Sequence, residues 1–276
     1  MFTLTPAIVA VVMGAGAVAG CLGALLGIGG GVFLVPFLHV VIGLPLNVAS
    51  GIGLMTVIGT SSVVSANRAG RRLVNLRLGM LMQVPASAGA LIGAVYVERL
   101  PERVLYVLFS IVTALTAAIM LSRLDRRNVI LDSDVTPGRF GGRFFEEESG
   151  REVSYRTRRL PVVMAVSLVA GSISGTLGIG GGILQVPAMN AWCGVPLRAA
   201  AATSAVMIGI TALASAPIFY ARGGIVAPAA AAAVIGVLIG SRAGLRLGGR
   251  ARARSLKLLM AVVLIAVSIG FVFKAA

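Results

Sequence analysis

Eight uninterrupted apolar stretches, each close to the length of a membrane-crossing helix, limit what this chain can become. They cover residues 6–26, 47–66, 78–97 and 104–122, then 160–177, 199–221, 223–241 and 256–273. About 20 apolar residues of helix span a hydrocarbon core. None of the stretches alternates with the period of two that a membrane barrel strand requires. An all-α polytopic membrane protein is therefore predicted. Two shorter apolar pieces, 32–42 and 183–194, each follow a cluster of glycines.

Composition removes the competing classes. Hydrophobic residues make up 58% of the chain and charged residues only 12%, against about 25% charged in a soluble domain. A soluble enzyme, a disordered chain and a nucleic-acid-binding domain are excluded on that ground. The net charge of +15 does not argue for nucleic acid, because the charges sit in short clusters between apolar runs, as in proteins oriented by a lipid bilayer. Cys21 and Cys193 lie far apart inside apolar segments and are read as small packing residues. No cofactor or metal site is expected.

The long hydrophilic stretch is 123–159, with Glu146, Glu147 and Glu148 and the basic run Arg156, Arg158 and Arg159. Its mixed charge and scattered glycines predict a solvated cytoplasmic linker. It divides the chain into membrane repeats at 1–122 and 160–276.

Those two parts are copies. Gly27-Ile28-Gly29-Gly30-Gly31-Val32-Phe33-Leu34-Val35-Pro36 returns, 151 positions on, as Gly178-Ile179-Gly180-Gly181-Gly182-Ile183-Leu184-Gln185-Val186-Pro187. At the same offset Gly20 falls on Gly171, His39 on Asn190, Gly43 on Gly194 and Pro45 on Pro196. The doubled signature, the paired four-segment halves and the size resemble the sulfite exporter TauE/SafE family, over the whole chain outside the linker. That resemblance implies a transporter in a bacterial inner membrane for sulfur-containing anions such as sulfite or organosulfonates.

Basic residues bear on how the halves are related. With eight crossings, 15 of the 24 Lys and Arg residues fall on one side and 9 on the other. If the two short pieces also reverse the chain, the split becomes 20 to 4. The positive-inside rule favours the second division. It makes the halves inverted repeats, each of four long helices plus one short broken element. Both termini then lie outside the cytoplasm.

The glycine clusters are the chemical feature. Three consecutive glycines make a poor helix interior, each about 1 kcal/mol worse than alanine. The helix that follows begins with unpaired N–H groups and a partial positive charge, which suits an oxyanion. Gly29, Gly30 and Gly31 with Gly180, Gly181 and Gly182 are therefore candidate substrate-binding residues. The competing reading is close backbone packing, which is the reading given to spaced pairs such as Gly16/Gly20 and Gly236/Gly240. His39, Gln185, Asn190, Thr203 and Ser204 are candidates to complete the site, and Thr60, Ser61 and Ser62 could add hydroxyls. For His39 the alternative is a satisfied hydrogen bond to its surroundings. Arg68 and Arg222 flank segment ends as mouth charges or surface anchors.

All nine acids lie at Glu98, at Glu102 or in the linker, so a carboxylate relay inside the membrane is not expected. The GIGGG run lacks the phosphate-binding lysine motif, which argues against ATP hydrolysis. With a single histidine and no acid in a membrane segment, an intramembrane enzyme is not expected either. The leading reading is a secondary transporter working by alternating access. The alternative is an anion channel that uses the same backbone donors.

Overall fold

The computed structural model describes residues 5–67, 73–122, 138–146, 151–248, 258, 261–262 and 264–271. Arg68, and the linker residues 123–137 and 147–150, lie outside them. The described helices are α1 (Pro6–Leu26), α2 (Gly31–Pro36), α3 (Leu46–Ala66), α4 (Leu76–Tyr96), α5 (Glu102–Ser122), α6 (Leu160–Leu177), α7 (Gly182–Ala191), α8 (Leu197–Ala221) and α9 (Ala227–Gly248). Residues 264–271 are also helical. Among the described residues, six helices are long and apolar enough to cross a membrane. Among the described residues the protein is an all-α polytopic membrane protein apart from one hairpin, described below. Large apolar side chains face outward along it, as Val18 (62% exposed) and Val84 (74%) do, which suits contact with lipid.

Proline sets the helix starts. Pro6 occupies the first turn of α1, and Pro45 and Pro196 stand at the caps of α3 and α8, where their missing N–H costs nothing. Pro36 ends the regular part of α2, which continues as a π-turn over Phe37–Val41. The ring removes one ladder donor and crowds the preceding turn.

Small residues decide which helices pair. Gly16 and Gly20 of α1 lie against the backbone at Ala233 and Val237, and Gly236, Gly240 and Gly244 of α9 lie against Met13, Ala17 and Cys21. Gly89 and Gly93 of α4 meet Leu168 and Ser172, and Gly171 and Gly175 of α6 meet Ala86 and Ala90. In both pairs the residue numbers rise together, so α1 runs parallel to α9 and α4 parallel to α6. Absent Cβ atoms allow this approach, the main source of helix association in lipid.

The central pair, α3 and α8, behaves differently. Gly51, early in α3, meets Gly224, just past the end of α8. Ser61, late in α3, donates to the Val206 carbonyl, in the first half of α8 (3.2 Å). The two helices therefore run antiparallel, although they hold the same place in the two copies.

The linker departs from expectation. Strands β1 (Gly142–Glu146) and β2 (Arg151–Tyr155) pair antiparallel, with Phe144 opposite Val153 and Gly142 opposite Tyr155. Phe144, Val153 and Tyr155 are buried in the main core, so this part is packed rather than solvated. A β-carbon on Gly142 would stand 2.7 Å from the Tyr155 hydroxyl and 3.0 Å from its ring. Asn75 ties the hairpin down: its Nδ2 donates to the Phe140 carbonyl (2.8 Å) and to the Tyr155 hydroxyl (3.1 Å). Its Oδ1 caps α4 by accepting from Leu78 N (3.1 Å). Burial raises the Tyr155 phenol above its ordinary pKa, against a smaller lowering from the Asn75 hydrogen bond, which keeps it neutral.

Candidate anion-binding site

The two glycine clusters fold alike, residue for residue. Gly27 and Gly178 close α1 and α6 in the left-handed region (φ 69° in both), donating to Gly23 O and Ser174 O at 2.9 Å. Gly29 (φ 84°) and Gly180 (φ 74°) are left-handed too, a conformation that favours glycine. Gly30 and Gly181 then cap α2 and α7. Gly30 O accepts from Phe33 N (3.2 Å) and Leu34 N (3.1 Å), and Gly181 O from Leu184 N (3.3 Å) and Gln185 N (3.1 Å). Each α2 or α7 start presents first-turn N–H groups without an intrahelical partner.

The breaks are pressed against each other. A β-carbon on Gly31 would stand 2.8 Å from the Gly178 carbonyl oxygen and 2.9 Å from Val57. One on Gly182 would stand 2.8 Å from Ile28 Cα and 2.9 Å from the Gly27 oxygen. Gly29 faces Ile208 at 2.9 Å and Gly180 faces Val57 at 3.1 Å. In this conformation these four glycines serve close packing between the copies. The caps have more room: a β-carbon on Gly30 would lie 3.4 Å from Ala19 and Thr60 Oγ1, and one on Gly181 3.2 Å from Gln185 Nε2.

The other expected residues divide. Gln185 is fully buried and joins Gly181; Ser204 Oγ approaches Gln185 Oε1 at 3.5 Å and would lie 3.0 Å from a β-carbon on Gly182. Thr203, one residue earlier, is engaged at the hairpin end, accepting from Asn75 N (2.9 Å). His39 and Asn190 share a different task. His39 Nδ1 lies 2.8 Å from the Leu44 carbonyl and Asn190 Nδ2 donates to Val195 O at 3.0 Å; each closes the turn after its short helix. His39 also packs against the rings of Tyr106 and Phe271 (centroids 5.3 and 6.2 Å).

Thr60 and Ser62 donate to carbonyls of their own helix, at Thr56 (2.9 Å) and Ile58 (2.8 Å). Arg222 holds the end of α4 through the Ala94 carbonyl (2.7 Å) and Glu98 (3.4 Å). Ser50 and Ser174 escape motif reading, yet both are buried with hydroxyls that make no hydrogen bond. Aligning the copies at the 151-residue offset points to them, because their counterparts are Ala201 and Gly23.

A polytopic helical protein whose duplicated unit breaks a helix deep in the bundle is built as membrane transporters are. The chain belongs to the sulfite exporter TauE/SafE family, whose profile matches residues 12–271. It is thereby a membrane transporter and not an enzyme. It is also similar to the probable membrane transporter protein YunE of Bacillus subtilis (strain 168), at 26% identity over 266 residues, covering 94% of this chain and 95% of the relative. No solved structure matches the chain significantly.

Proposed function

We propose that this protein is a secondary transporter of a small sulfur-containing anion, sulfite or an organosulfonate, in a bacterial inner membrane. The anion is held at the paired glycine breaks and crosses by alternating access of two inverted halves. The observation that carries this reading is the reciprocal seating of the breaks, Gly31 on Gly178 and Gly182 on Gly27, in a chain of a transporter family. Both short helices thus begin at one shared place, where N–H groups and helix dipoles favour negative charge.

The inverted relation is supported by the antiparallel course of α3 and α8, since copies related by an axis along the membrane normal would run these helices in parallel. It is supported again at the hairpin end, where Arg158 N donates to Cys193 O (3.2 Å) and Asn75 meets Thr203. Those contacts bring the end of α7 to the face of the linker, as a chain-reversing α7 requires. The linker is cytoplasmic in this reading, by the excess of arginine on its side. Close packing at the breaks favours a transporter over an open channel, because the halves must part before a solute passes.

The test is flux of sulfite and of methanesulfonate into proteoliposomes. Gly30→Leu and Gly181→Leu are expected to abolish saturable uptake while the protein still inserts. Unchanged uptake in both variants would remove the breaks from the mechanism, and ohmic single-channel current would replace the transporter with a channel.

A further inference from the structure

The two breaks share a backbone but not a lining. Beside the second break stand Ser174 Oγ, Gln185 Nε2 and Ser50 Oγ, all buried and all without a hydrogen-bond partner. Gln185 is on α7 itself, with Nε2 lying 3.2 Å from where a β-carbon on the cap Gly181 would stand. Ser50 belongs to α3, whose backbone at this residue packs on Gly178. Ser174 supplies the carbonyl that accepts from Gly178 N (2.9 Å). It occupies the place of Gly23, and Gly23 packs on the Gly29–Gly30 peptide. Ser204 is a fourth member, facing Gly182.

At the first break the same four places hold Ala201, Gly23, Leu34 and Gly53. Every polar group of the second break is matched by an apolar side chain or by hydrogen. A buried donor left unmatched keeps its desolvation penalty, and three of them around one helix break are a standing cost unless a ligand takes them up. A carboxamide nitrogen only donates, so what it takes up is an acceptor. The α7 N-terminus adds donors and positive potential on the same side. A pyramidal or tetrahedral oxyanion offers several acceptor oxygens to such a set.

We propose that the paired breaks form one anion seat, not two, and that its side-chain donors all come from the second break's side: Gln185 Nε2, Ser174 Oγ and Ser50 Oγ. The first break packs against this seat and adds no side-chain donor to it. This rests on the reading of the protein as an anion transporter, and it deepens that reading by naming the donors and the stoichiometry.

The experiment is titration calorimetry of the purified full-length protein with sulfite and with methanesulfonate, on the parent and on Gln185→Leu, Ser174→Ala and Leu34→Gln. The parent is expected to bind one anion per chain. Gln185→Leu, which installs the first-break residue, weakens binding at least about tenfold. Ser174→Ala weakens it as well and serves if Gln185→Leu does not fold. Leu34→Gln leaves binding within about twofold of the parent. Two anions per chain, or parent-like affinity in both Gln185→Leu and Ser174→Ala, overturns the single seat and leaves the transporter reading in place. No binding of either probe by the parent overturns the sulfur-anion reading together with the seat.

Discussion

The backbone N–H of Asn75 donates to Oγ1 of Thr203 across 2.9 Å, joining the start of α4 to the start of α8 beneath the hairpin. Both residues are buried, with Thr203 only 1% exposed, so water cannot replace either partner. Thr203→Val keeps the shape and removes the acceptor. It is expected to destabilise the protein by about 1–3 kcal/mol, seen as a lower thermal midpoint in detergent. Tyr155→Phe takes from Asn75 only one of two acceptors and costs less, about 0.5–1.5 kcal/mol. Equal midpoints for Thr203→Val and the parent would show that this contact bears no strain.

Alanine substitutions within one cluster separate packing from capping. Gly31→Ala and Gly182→Ala drive a methyl into backbone of the opposite copy at 2.8 Å, whereas Gly30→Ala meets only ordinary contact at 3.4 Å. Gly30 also has an ordinary helical φ of −69°. The first two variants are expected to lose stability and flux, and Gly30→Ala to retain both. The comparison is thermal midpoint beside uptake in proteoliposomes.

His39 and Asn190 close equivalent turns onto the carbonyls of Leu44 and Val195, and these four residues correspond at the repeat offset. His39→Asn is therefore expected to preserve uptake and its pH profile, because an amide already does this work in the second copy. His39→Leu leaves the buried Leu44 carbonyl without this partner and should destabilise the protein by about 1–3 kcal/mol, read as a lower thermal midpoint. A change in the pH profile of His39→Asn would instead make the imidazole a proton carrier.

A carboxy-terminal fluorescent reporter that matures only in the cytoplasm tests the ten-element topology. No fluorescence is expected from a full-length, membrane-inserted fusion, while the same reporter placed in the 123–137 stretch should fluoresce. The reverse pattern would turn the molecule over, and fluorescence at both positions would restore eight crossings.

Much of the fold was legible because lipid enforces long apolar helices: segments 6–26 and 160–177 coincide with α1 and α6, and the broken pieces after the glycines became α2 and α7. The hairpin was not legible. Its two strands are five residues each, too short to establish a period, and its glycines and flanking charges masked Phe144, Val153 and Tyr155. Tyr155 is tied to Asn75, distant in sequence, so no local pattern reports the packing. Of the candidate site, the glycines and Gln185 follow from the motif. Ser50 and Ser174 look like ordinary helix serines, and only their mismatch with Ala201 and Gly23 in the other copy and the lack of a partner distinguish them.

The pairing of α1 with α9 and of α4 with α6 crosses the boundary between the copies. Neither copy keeps its helix pairs to itself, since its first helix packs on the other copy's fourth. In the proposed alternating access the moving bodies would therefore be hybrids, one built on each such couple, with the antiparallel α3 and α8 between them. The helix pairs thus join across the line of duplication, and fragments cut at the linker should regain activity only when made together.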